Sequence, residues 1–230
     1  MRARDVMDRW LPWLAGVAML AALYCIFIVA PTEREQGVVQ RIFYFHVASA
    51  WTAFVGFVTV ALSSGLFLWS GRQRWDQVAR SAAEVGVLFC TFVLITGPIW
   101  AKPIWGTWWQ WDPRLTQALI LWTIYVSYLM LRSFGGEEEL VRRWAAVLGI
   151  FGVIDIPIII LSVRLFPSIH PAVLVTRERT GGLLEPGMQL ALGVTMLAFL
   201  LLFVWLVHLR ARIQRVSDAL AVMRADLDAG

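Results

Sequence analysis

Ala82-Ala-Glu-Val-Gly-Val-Leu-Phe-Cys-Thr-Phe-Val-Leu-Ile-Thr-Gly-Pro-Ile-Trp100 carries a single charge, Glu84, over a length sufficient to cross a hydrocarbon core of about 30 Å as a helix. Comparable apolar runs cover residues 13–30, 43–70, 114–133, 144–163 and 187–209, so the pattern predicts six spans. The run 43–70 is longer than a span requires and should tilt or project beyond the bilayer, ending at Gly71-Arg72-Gln73-Arg74. A 59% apolar and 16% charged composition, with mean hydropathy +0.69, excludes a soluble α/β enzyme, a disordered tail and a disulfide scaffold. The expected fold is all-α, embedded in a lipid bilayer. Cys25 and Cys90 lie in separate apolar runs and form no ligand spacing, which leaves them as packing residues.

Lys and Arg are distributed unequally between the two sides of such a bundle. Thirteen fall at the N-terminus, in the linkers near 72–80 and 132–143, and in the tail; seven fall in residues 31–42, 101–113 and 164–186 and at their edges. Both termini are therefore expected in the cytoplasm, with those three loops facing outward. The basic pI near 9.6 reflects these topology signals and not nucleic-acid binding. Met1-Arg-Ala-Arg before the run 13–30 shows no small-residue cleavage site and reads as the flank of a retained first span. Residues 1–209 form the membrane domain, and residues 210–230 a cytoplasmic amphipathic helix continuing from the sixth span. In that tail Ile213, Val216, Leu220, Met223 and Leu227 recur at spacings of three and four, an apolar seam that either docks on another subunit or lies on the cytoplasmic membrane face. Two acids fall within spans. Glu84, near a cytoplasmic end, can reach headgroup water. Asp155, two residues before Pro157, is either a functional carboxylate or a protonated side chain bonded to backbone freed by the proline.

Beyond Trp100 the chain reads Ala101-Lys102-Pro103-Ile104-Trp105-Gly106-Thr107-Trp108-Trp109-Gln110-Trp111-Asp112-Pro113-Arg114-Leu115. At about 100° per residue, Trp105, Trp108, Trp109 and Trp111 would share one helical arc of roughly 160°, with Gly106, Thr107 and Gln110 opposite. This predicts a short amphipathic helix on the outer membrane face. Tryptophans anchoring a protein in the interface are spread around it; four within seven residues instead form a flat apolar platform suited to a large planar ligand. Asp112-Pro113 is a helix start, with the carboxylate as cap and proline in the first position.

The chain has three histidines. His46 stands about one turn inside the outer end of the second span, and His170 in the long outer loop. His208, at the cytoplasmic end of the last span, is expected to meet headgroups or a helix terminus. Two imidazoles on the platform's side can take opposite axial positions of a haem iron. Arg41, Lys102 and Arg114 are the candidate cations for its propionates, the alternative for each being a side chain that snorkels to the interface. The expected ligand is haem b, held non-covalently with bis-histidine iron. A six-span permease whose tryptophans only anchor it is the competing reading.

Residues 105–116, Trp-Gly-Thr-Trp-Trp-Gln-Trp-Asp-Pro-Arg-Leu-Thr, resemble the tryptophan-rich signature of haem-handling membrane proteins, and specifically the CcmC family, haem exporter protein C, of cytochrome c maturation. Six spans, the chain length, Phe45-His46-Val47 and a histidine in the third outer loop fit the same resemblance. Ala48 and Ala101 depart from it, standing where relatives often carry proline and glycine. The resemblance implies haem held on the periplasmic side of the inner membrane by Trp100, Trp105, Trp108, Trp109 and Trp111, with Asp112 in the signature and His46 and His170 as ligands. It also implies transfer to the haem chaperone CcmE and assembly with the ABC transporter subunits CcmA and CcmB and the small membrane protein CcmD. The chain would then be a binding and delivery module, not an enzyme, with energy from the partner ATPase.

Overall fold

The apolar runs fold as helices that extend beyond the hydrophobic core of each run. A computed structural model describes residues 3–135, 139–168 and 185–229. In chain order the helices are α1 (Ala3–Tyr24), α2 (Arg41–Ser70), α3 (Gln73–Trp105), α4 (Pro113–Phe134), α5 (Glu139–Gly152), α6 (Asp155–Leu165) and α7 (Pro186–Ala229). A π-helical turn, Cys25–Val29, prolongs α1, and a 3-10 turn, Val38–Gln40, precedes α2. With α5 and α6 together making one crossing, six segments are long and apolar enough to span a membrane. This is a multi-pass membrane protein.

The fifth crossing breaks between α5 and α6 for a local reason. Pro157 has no N–H to offer the Val153 carbonyl four residues back. The backbone N–H of Ile156 bonds that carbonyl instead, at 3.2 Å. The freed carbonyl thus does not need the Asp155 side chain, contrary to the second of the two readings above. Asp155 heads α6 at 7% exposure, and its Oδ2 has no hydrogen-bond partner among the described residues.

Packing centres on α2 against α3. A Cβ on Gly56 would lie 3.1 Å from the Gly86 Cα, and one on Gly86 would lie 2.9 Å from the Phe57 ring, so this pair of glycines lets the two backbones approach. Phe57 stacks on Tyr125 of α4 at 3.8 Å between centroids and 9° between planes. The Tyr125 hydroxyl donates to the Gly149 carbonyl of α5 at 2.9 Å, which satisfies a polar group buried in the middle of the core. α7 lies along α1 and also packs on α2 and α3.

The first turns of α1 meet the middle of α7 at one end of the bundle. Asp8 of α1 is 2.7 Å from His208 Nε2 and 3.1 Å from an Arg212 nitrogen, both on α7. His208 thus has a side-chain partner on α1, where headgroups or a helix terminus were expected. Glu84 bonds Arg210 of α7 and lies 3.6 Å from Arg80. It is an inter-helix tie, not simply a carboxylate reaching headgroup water. Near the same side, Arg132 of α4 donates two hydrogen bonds of 2.6 Å to the Asp76 carboxylate of α3, and a third of 3.3 Å to the Tyr128 hydroxyl. Both charges are almost fully buried. Arg132 was legible only as a topology signal; the structure makes it half of a bidentate clamp.

The tail does continue the sixth span without interruption to Ala229. Ile213, Val216, Leu220, Met223 and Leu227 are all exposed, so none of the described residues covers their seam.

Candidate functional site

At the opposite end of the bundle, α2 begins at Arg41 and its second turn presents His46, which is buried. The imidazole faces α3. Its Nδ1 is 3.0 Å from the Thr96 hydroxyl, and a Cβ added at Gly97 would come within 3.4 Å of its Cε1. One turn further along the same face, Trp100 packs on the imidazole with centroids 5.7 Å apart. Trp100 is 4% exposed, touches Phe43 edge-on at 5.7 Å and lies 6.0 Å from Trp105. An aromatic wall therefore runs from the buried histidine to the end of α3.

The link from α1 to α2 holds that wall from outside. The buried Glu33 carboxylate accepts from the backbone N–H groups of Glu35 and Gln36, at 2.9 and 2.5 Å. Gly37, at φ +60°, turns the chain back with its N–H on the Glu33 carbonyl. This tight turn delivers Gln36, whose Oε1 accepts from the Trp100 indole N–H at 3.0 Å. A buried indole donor is thereby satisfied.

The tryptophan segment itself differs from the expected helix. Trp105 is the last residue of α3, and residues 106–112 form no helix. Two residues enforce this. Gly106 takes the left-handed conformation, φ +75°, and its N–H closes α3 on the Lys102 carbonyl. Pro113 holds Asp112 extended, at φ −69° and ψ 142°, where it caps α4. The four indoles consequently do not share one helical arc: Trp109 and Trp111 meet edge-on at 5.8 Å and 83°, while Trp108 and Trp111 are 58% and 77% exposed. The Thr107 hydroxyl donates to the Trp109 carbonyl at 2.9 Å within this irregular segment.

Asp112 performs the capping role expected of it. Its buried Oδ1 accepts from the backbone N–H of Arg114 at 2.9 Å and, more weakly, of Leu115 at 3.4 Å. Among the expected cations, Lys102 donates to the Gly106 carbonyl at 2.9 Å and is engaged at the end of α3. Arg114 is half-buried in the first turn of α4. Arg41 lies over the Phe27 ring at 5.5 Å, and its Nε is buried without a hydrogen-bond partner among the described residues. His170 lies outside the described residues.

The sequence pattern of heme exporter protein C, the CcmC family, matches residues 1–225. The chain belongs to the CcmC family. The heme exporter protein C of Bradyrhizobium diazoefficiens is 36% identical over 206 residues, which are 88% of this chain and 77% of that relative. The protein of the same description from Escherichia coli is 32% identical over 215 residues, 92% of this chain and 86% of the relative. A ccmC-like mitochondrial protein of Marchantia polymorpha, described for cytochrome c biosynthesis, is 39% identical over 149 residues, 65% of this chain and 63% of the relative.

In this member of the CcmC family the geometry joins His46, Trp100 and Trp105 into one surface and places Trp108, Trp109 and Trp111 beyond it as a less buried rim. Sequence reading missed Thr96, Gly97 and Gln36. Thr96 and Gly97 stand four and three positions before Trp100, and a hydroxyl on an apolar helix one turn before a tryptophan was the available signal. Gln36 carried none, because its role depends on the turn made by Glu33 and Gly37.

Proposed function

We propose that this protein binds haem b non-covalently, with His46 and His170 as axial ligands of the iron, and passes it to the periplasmic chaperone CcmE for cytochrome c maturation. The observation that carries the reading is His46. A buried imidazole with Nδ1 tied to Thr96 and its ring against Trp100 is suited to a planar ligand reaching it along the aromatic wall. The residues fit haem in two further respects. The indoles of Trp105, Trp108, Trp109 and Trp111 supply apolar area next to that wall, and the partnerless Nε of Arg41 is a buried donor suited to a propionate oxygen. Lys102 and Arg114 are the remaining propionate cations of this reading; Lys102 would exchange its carbonyl partner for a carboxylate.

On this reading the tryptophan face is periplasmic, and the chain ends, with the tail of α7, lie in the cytoplasm of an inner-membrane protein. The chain itself turns over no substrate. CcmA and CcmB, with CcmD, form the complex around it, and their ATPase supplies the energy for release. A transport permease is the second reading, favoured by one observation, the partnerless buried oxygen of Asp155.

The visible spectrum of the protein purified from haem-replete membranes tests the proposal. Bis-histidine ligation gives a low-spin ferric spectrum, which His46→Ala and His170→Ala each convert or abolish. A permease without bound haem gives no such spectrum, and two single variants with unaltered low-spin bands refute the ligand assignment.

A further inference from the structure

The Thr96 hydroxyl has two neighbours and one proton. Its oxygen is 2.7 Å from the Phe92 carbonyl, one turn back on α3, and 3.0 Å from His46 Nδ1. If the proton pointed to Nδ1, the hydroxyl and carbonyl oxygens would face each other at 2.7 Å with lone pairs only, a repulsive contact. With the proton on the Phe92 carbonyl, both contacts are hydrogen bonds, and the hydroxyl oxygen must accept at Nδ1. That arrangement requires a hydrogen on Nδ1. A neutral imidazole has only one N–H, so Nε2 then carries the lone pair.

Trp100 packs on the same ring from the next turn of α3.

We infer that Thr96 is a positioning residue that holds His46 in the tautomer protonated at Nδ1, making Nε2 the nitrogen presented to iron. This rests on the reading of His46 as a haem ligand. Hydrogen-bonded partners of metal-bound histidines set tautomer and ring orientation, and their loss typically weakens metal binding by about 10 to 100-fold.

The experiment has two arms, both on the full chain in lipid nanodiscs. The first needs no haem: 15N-histidine labelling of the haem-free protein at a pH where imidazole is neutral, with the His46 signals assigned by their absence in His46→Gln. The expected pattern places the proton on Nδ1 in the wild type and in Thr96→Ser, which keeps the hydroxyl. In Thr96→Val, which keeps the shape and loses the acceptor, the proton moves wholly or partly to Nε2. A wild-type proton on Nε2, or a Thr96→Val pattern identical to wild type, overturns the inference. Should Thr96→Val fail to insert, the wild-type tautomer alone decides. The second arm loads ferric haem: Thr96→Val is expected to retain it at least about tenfold less tightly than wild type, with Thr96→Ser close to wild type. Equal retention in Thr96→Val overturns the role toward iron. An unaltered low-spin spectrum in His46→Ala overturns the ligand reading instead, whichever tautomer the first arm finds.

Discussion

Replacing Arg132 by methionine leaves the Asp76 carboxylate buried between α3 and α4 without its two 2.6 Å hydrogen bonds. Two unit charges about 4 Å apart interact by about 4 kcal/mol at an effective dielectric of 20. Removing one partner of a buried pair costs about 3–5 kcal/mol, since the survivor keeps its desolvation penalty and loses its compensation. The expected cost of Arg132→Met is in that range. The double variant Asp76→Leu/Arg132→Met should recover most of it, because both charges then avoid dehydration. Reversible unfolding in mixed micelles, followed by circular dichroism on the wild type, the two single variants and the double, yields the coupling energy directly. A single-variant cost below about 1 kcal/mol, the value of an exposed pair, would refute the argument, as would a double variant no more stable than the worse single one.

Three further outcomes follow from features at the two ends of the molecule. Asp112→Ala should destabilise by about 1 kcal/mol through loss of the α4 cap, with Asp112→Asn retaining most of the stability; equal melting of all three proteins would contradict the cap. Leucine at Trp105, Trp108, Trp109 and Trp111 together should lower haem retention by about thirtyfold or more, taking about 0.5 kcal/mol per indole as the lower bound. Haem per protein, measured after extraction, checks this, and unchanged content in a well-inserted variant would assign the indoles to membrane anchoring. Truncation after Arg212 removes the exposed seam while sparing the Asp8 contacts, so it should reduce co-purification of the transporter subunits and leave the low-spin spectrum intact.

Six spans, the Asp112 cap and the unbroken run from the sixth span into the tail were legible because each depends on local composition or on adjacent residues. The tryptophan segment was legible as a concentration of indoles but not as a shape. Helical periodicity is satisfied by residues 105–111, yet Gly106 ends one helix and Pro113 delays the next, so spacing alone overstates order there. The clamp of Asp76 and Arg132 joins residues 56 positions apart, and its partners are chosen by how α3 and α4 align. The same holds for His208 and Asp8, where a residue 200 positions away decides the role of a histidine. Thr96 and Gln36 escaped notice because neither is chemically unusual; what distinguishes them is the neighbour each meets after folding.

The ties between Asp76 and Arg132, Glu84 and Arg210, and Asp8 with His208 and Arg212 gather α1, α3, α4 and α7 at the end of the bundle where α1 begins. The wall of His46 and Trp100 is secured instead by neutral bonds from Thr96 and Gln36. The bundle is thus built like a bouquet bound at its stems. Splaying the bound end means separating charges, whereas widening the far end by a rotamer change of Gln36 or Trp105 disturbs no ion pair among these. On the proposed reading of this site, a rigid macrocycle would enter and leave at the end where only neutral bonds have to give.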